Sequence, residues 1–241
     1  MRAQTRHQLK TDRFRGATID AAEATVHWSV EHKGKVIAGA VILAVVVAAG
    51  VGIWYYLNAQ DEKASLDVSQ AVRMLQTPVR PPNMPADPEA PSFASNKERA
   101  AAAQKKFQEV INLYPHTHAA EVSKYFVGVT AADLGDYAAA ENNLNAVASS
   151  GGAELSALAR MALASVYRNT NRTPRAVDLY KQLIDKPTAT VGKTVAQMEL
   201  ASTYEAAGQP MEAKRIYQEI QKDNPSSGAA QMASEKSQQL K

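Results

Sequence analysis

A chain that does covalent or metal chemistry must bring nucleophiles, acids and bases, or metal ligands to short and geometrically useful spacings. The five histidines are His7, His27, His32, His116 and His118. None pairs with another at the i, i+4 spacing of a helical zinc site, and none joins a glutamate in a metal-binding motif. His116 and His118 read as surface side chains. The absence of cysteine removes thiolate nucleophiles, disulfides and cysteine-held zinc or iron–sulfur centres. No Gly-x-Ser-x-Gly elbow occurs, and the run Ala49-Gly50-Val51-Gly52 falls inside an apolar segment rather than in a phosphate-binding loop. The carboxylates are scattered over what would be helix surfaces. The sequence therefore predicts no enzyme, no cofactor and no metal, and leaves binding as the chemistry to be positioned.

The positioning elements should be helices. Aromatic residues make up only 6% of the chain, and an alanine-rich, aromatic-poor sequence favours helix because alanine loses no side-chain entropy there. The pI of about 9.0 invites a nucleic-acid reading, but the location of the charge argues otherwise. Arg2, Arg6, Lys10, Arg13, Arg15, Lys33 and Lys35 face only Asp12, Asp20, Glu23 and Glu31 in the first 35 residues. The remainder is balanced, so the excess sits beside the apolar segment, where membrane topology explains it.

That segment, Val36 to Leu57, carries no charge over 22 residues. As a helix it would be ~33 Å long, enough for a ~30 Å hydrocarbon core. Trp54, Tyr55 and Tyr56 close it where rings favour the headgroup layer. A cleaved signal peptide fits less well, because the run is longer than about 7–15 residues and follows a long polar tail. The basic tail, against Lys63, Arg73 and Arg80 beyond the run, predicts a cytoplasmic N-terminus and an outer C-terminal domain, periplasmic in the inner membrane of a double-membraned bacterium. Ala40, Ala44, Ala48 and Gly52 recur every four residues and offer a ridge for weak self-association, or simply reflect the abundance of small residues in membrane helices. Before the run, Ile19, Ala22, Val26 and Val30 share one face of an expected amphipathic juxtamembrane helix.

The rest of the chain repeats. Gly128, Ala164 and Ala201 correspond, as do Ala140, Ala176 and Ala213; Leu144, Tyr180 and Tyr217; and Val147, Leu183 and Ile220, at spacings of 36 and 37 residues. Turns fall at Leu134–Tyr137, Asn169–Arg172 and Ala207–Pro210, where Gly and Asn tolerate a left-handed helix end. An earlier half-unit holds Ala103, Phe107, Val110 and Pro115. Small residues let the two helices of a hairpin approach, bulky ones fill the gap, and proline stops the second helix. This pattern resembles the tetratricopeptide repeat (TPR): small at the eighth position, Gly or Asn at the turn, Ala at the twentieth, bulky at the twenty-fourth, and proline (Pro115, Pro225) at the end. It departs from the family in unit length, in Gly151-Gly152 standing where proline is usual, and in lacking tryptophan at the fourth position. Longer linkers, Ser149–Gly152 and Pro187–Gly192, would absorb the extra residues.

The expected architecture is all-α: a single transmembrane helix followed by a TPR-like solenoid of three to four hairpins. The tail covers residues 1–34, the membrane helix 35–57 and a helical connector, the first TPR helix, 58–77. A proline-rich insertion spans 78–96, with Pro78, Pro81, Pro82, Pro85, Pro88 and Pro91 favouring an extended loop that is either a spacer or a docking element. The solenoid occupies 97–241 and ends in a capping helix over Ser227–Gln239.

The TPR resemblance implies that ligands meet positions two, five, nine and twelve of the first helix of each unit. Position five gives Tyr125, Met161 and Met198; position nine gives Val129, Ser165 and Ser202; position twelve gives Ala132, Arg168 and Glu205. The Lys and Asn with which chaperone-binding TPR proteins clamp a peptide carboxylate are missing, which argues against an acidic C-terminal tail as ligand. The Tyr/Met line suits apolar or varied segments, unless those side chains simply pack against neighbouring helices.

The layout further resembles the TPR-containing ancillary subunit of the SecYEG translocon, in Trp28–Lys35 leading into the apolar run and in its Trp54-Tyr55-Tyr56 exit. That likeness implies a place beside the translocon, with the groove offered to periplasmic chaperones or emerging exported polypeptides. A structural scaffold for an envelope complex is the alternative.

Overall fold

The computed structural model describes residues 32–81 and 92–240. The expected juxtamembrane helix, and Pro82, Pro85, Pro88 and Pro91 of the insertion, lie outside the described residues. The chain divides into two compact units, Met1–Tyr56 and Leu57–Lys241. A helix α1, Lys33–Gln76, runs unbroken through residues of both.

In the first unit, the apolar side chains of α1 are uncovered. Trp54 and Tyr55 are 66% and 72% exposed, and Ile37, Val41, Leu43, Val47 and Ile53 are likewise open. The helix is long and apolar enough to cross a membrane by length and composition, and none of its most apolar stretch is buried. A signal sequence would meet the same description; a core helix of a soluble protein would be covered. A Cβ added at Gly52 meets no atom within 4 Å.

The second unit is a TPR-like solenoid built from the remainder of α1 and α2 (Asn96–Leu113), α3 (His118–Leu134), α4 (Tyr137–Ser150), α5 (Ala153–Asn169), α6 (Thr173–Asp185), α7 (Lys193–Ala206), α8 (Pro210–Asp223) and α9 (Gly228–Gln239). From α3 onward, each helix packs on the next in sequence. The starts are set by side chains that satisfy orphan amides. Ser95, Thr117, Asp136 and Ser227 accept from the amides of Glu98, Ala120, Ala139 and Ala230. Glu98 also accepts from the Ala94 amide, one residue before the cap, and ties down the incoming chain. Pro174 and Pro210 occupy first-turn positions of α6 and α8, where no amide partner is lost. Within the hairpins, Gly135, Asn171 and Gly208 take positive φ of 86°, 57° and 70°, recurring at the repeat spacing.

The repeat residues build the core. Ala140, Leu144, Ala176, Tyr180 and Ala213 are fully buried, and Tyr217 is 1% exposed. Gly128 marks the tightest approach: a Cβ there would lie 2.7 Å from Leu144 Cγ. In the next two units, Ala164 and Ala201 sit buried at the same place. The first unit differs in chain path. Ala64 and Ala71 of α1 are fully buried beside Phe107, Val110, Ala119 and Val127, so the first hairpin is α1 with α2, interrupted by residues 77–95. The ends of that interruption are tied together. Val79 and Phe93 form a parallel bridge, the Arg80 guanidinium donates to Ser92 Oγ at 3.0 Å, and Arg99 donates to the Thr77 carbonyl at 2.8 Å.

Two details differ from the sequence reading. Ser149 and Ser150 stay helical, their hydroxyls donating to the Asn145 and Ala146 carbonyls, so only Gly151 and Gly152 link α4 to α5. The 187–192 linker is not slack either. The Glu154 carboxylate at the start of α5 accepts from the Thr190 amide and hydroxyl at 2.9 and 2.7 Å and from the Ala189 amide at 3.3 Å. These bonds pull its pKa down to about 2.

Candidate functional site

Stacking hairpins side by side puts α3, α5 and α7 in one layer, with α4 and α6 behind them. Where α3, α5 and α7 diverge they enclose an open cavity of about 420 Å³. Its apolar wall comes from Tyr125, Val129, Leu158, Met161 and Val195. Leu144 of α4 and Tyr180 of α6 supply its floor, since both are fully buried second-helix residues. Ser165, Asn169, Asp133, Arg168 and Glu199 form the polar side.

Five of the eight residues proposed for the groove therefore share this cavity: Tyr125, Val129, Met161, Ser165 and Arg168. All five are half-buried. Tyr125 and Met161 also pack against the core, so packing and lining are two sides of the same residues. Burial raises the Tyr125 hydroxyl above its ordinary pKa. Met198, Ser202 and Glu205 are not among the lining. From α7 it is Val195 and Glu199 that line the cavity, while Met198 packs against the core. Glu205 lies 4.0 Å from Lys236 of α9, and next to burial it is what raises the Tyr217 hydroxyl of α8.

Val195 and Leu158 were within reach of sequence reasoning, because both stand at position two of their units, one of the family's ligand positions. Glu199 was not. Its role follows from a contact across the cavity, with Arg168 Nη1 donating to Glu199 Oε2 at 2.9 Å. That pair is partly exposed, with side-chain accessibilities of 28% and 42%, and contributes at most about 1 kcal/mol. Beneath it sits Tyr180, whose buried hydroxyl lies against Thr203 of α7. Burial pushes this phenol up to about 12, so it stays neutral and able to donate. Asp133 stands exposed on the rim and is raised by partial desolvation, with Arg99 pulling in the opposite direction.

Among the described residues, no group of three or more His, Cys, Asp or Glu side chains is arranged to hold a metal. His118 Nδ1 lies 3.8 Å from Glu121, one helical turn away in α3. The cavity's means are shape, apolar surface and a few polar groups, which suit recognition.

Comparison with known proteins agrees with this geometry. A family model described as a tetratricopeptide repeat-like domain matches residues 27–240. No curated protein matches the chain by sequence. Among solved structures, a putative kinesin light chain of Podospora anserina with nearly identical TPR-like repeats superposes with a TM-score of 0.55 at 16% identity, covering 73% of this chain and 84% of that one. A point variant of the same protein gives the same values. At that identity the likeness is one of fold.

Proposed function

We propose that this chain, which belongs to the tetratricopeptide repeat-like domain family, is a membrane-anchored protein-interaction module that holds its solenoid outside the cytoplasm and handles exported polypeptides beside the translocon. The TPR-like fold carries the general part: such arrays act as scaffolds for protein partners. The observation that carries the interaction reading is the cavity itself. Three consecutive first helices converge on one open, half-apolar hollow, whereas a solenoid that merely spaced two other elements would need none.

Anchoring is supported by α1. Its uncharged stretch exposes every large apolar side chain from Ile37 to Tyr56, a surface that lipid covers without further protein. The charge bias of the tail supports an N-terminus in the cytoplasm. The likeness of Trp28–Lys35 and Trp54–Tyr56 to the ancillary translocon subunits supports the choice of partner, and the missing carboxylate clamp at positions five and nine speaks against an acidic C-terminal tail as ligand.

The test is brief in-cell crosslinking, purification of full-length protein in mild detergent, and identification of what accompanies it. Translocon subunits together with varied, substoichiometric secreted proteins or periplasmic chaperones are expected. One complex in fixed ratio, without them, would make the protein a scaffold or assembly factor instead. Intact mass retaining residues 1–59 is expected for an uncleaved anchor.

A further inference from the structure

We propose that the cavity between α3, α5 and α7 takes an extended polypeptide segment that seats a large apolar side chain against Tyr125, Met161 and Val195 and lays an adjacent lysine or arginine against Asp133. The inference rests on the protein-interaction reading above and specifies its ligand.

Charge decides the second half of the motif. Three charged side chains line the cavity: Asp133, Arg168 and Glu199. Arg168 and Glu199 are engaged with each other, which leaves Asp133 as the charged lining residue without an ion pair or hydrogen bond among the described residues. Arg99 offsets its charge only in part, from beyond ion-pair distance. A basic side chain arriving on the ligand meets attraction there; an acidic one meets repulsion.

The apolar half follows from the wall. Val195 is 54% exposed on the cavity side of α7 with no partner over it, and Met161 is unbranched and adapts to different side chains.

The test uses full-length protein in phosphatidylcholine nanodiscs and fluorescein-labelled decapeptides read by anisotropy, with empty nanodiscs as the blank. Three peptides carry a Leu-Phe pair flanked by lysines, by aspartates or by serines; a fourth keeps the lysines and replaces the pair with serines. The lysine-flanked Leu-Phe peptide should bind about fivefold to tenfold tighter than the aspartate-flanked one, the range of an exposed attraction exchanged for a repulsion. Asp133→Lys, on an exposed rim, should reverse that order. Equal binding of the four peptides, or a lysine preference that survives Asp133→Lys, overturns the proposal. A photoreactive residue at position 195 separates the two levels. If it captures polypeptides in cells while the peptide order ignores Asp133, the interaction module stands and this ligand class falls. If nothing is captured and no peptide binds, both fall.

Discussion

Gly128→Ala sets two well-defined effects against each other. Alanine is the better helix former, worth about 1 kcal/mol in a helix interior. Against that, the new Cβ would lie 2.7 Å from Leu144 Cγ, 2.9 Å from its Cδ2 and 3.3 Å from its backbone amide. Leu144 is fully buried and its Cγ is not a free end, so α3 and α4 must move apart. Overpacking of this kind costs about 1–3 kcal/mol, and two contacts below 3 Å against an immobile side chain place it in the upper half. The net loss should be about 1–2 kcal/mol, or roughly 2–8 °C in melting temperature for a chain of this size. Melting followed by helical circular dichroism, with hydrogen exchange across α3 and α4, measures it. In a Leu144→Ala background the clash is gone, so the same substitution should turn stabilising by about 1 kcal/mol. A single variant that melts at or above the parent temperature would refute the close-approach argument.

Three further outcomes follow from the same structure. Asp61 accepts from the Ala119 amide at 2.9 Å, capping α3 from 58 residues away; Asp61→Ala should cost about 0.5–2 kcal/mol, read as faster hydrogen exchange in the first turn of α3. The Glu154 carboxyl should titrate near its depressed value of about 2 rather than its ordinary 4.5. Because the folded value is the lower one, its contribution to holding residues 188–191 is complete above pH 4.5 and is lost as pH falls towards 2; carboxyl NMR and local exchange should show this, and Glu154→Gln should remove the dependence. Met161→Glu should reduce partner capture in the crosslinking assay with the helical signal intact, whereas Met198→Glu, outside the cavity lining, should reduce it less.

How much of this was legible in the sequence depends on the range of the interaction. Gly128, Ala164 and Ala201 could be paired with Leu144, Tyr180 and Tyr217 from spacing alone, because helix–helix contact imposes a size rule at a fixed period. The turn residues Gly135, Asn171 and Gly208 were equally readable, since backbone handedness restricts the residue types. What spacing does not encode is polar contact between distant elements. Asp61 reaching Ala119, Glu154 holding Thr190 and Arg168 meeting Glu199 join residues whose types are common on any helix surface. The cavity was half legible for the same reason. The period identifies which helices face inward, but the rotation from α5 to α7 decides that Val195 and Glu199 line it and that Met198, Ser202 and Glu205 do not.

The split first hairpin bears on the order of events during synthesis. Ala71 is made early, but Phe107 and Val127, which cover it, come 36 and 56 positions later, and Val110 and Ala119, which cover Ala64, come 46 and 55 positions later. At about 5–20 residues per second, the buried face of α1 waits several seconds for its partners. The two fully buried positions of that face carry only a methyl group, but Val68, Val72, Met74 and Leu75 pack beside them, so the waiting helix keeps a sticky apolar stripe until its partners emerge.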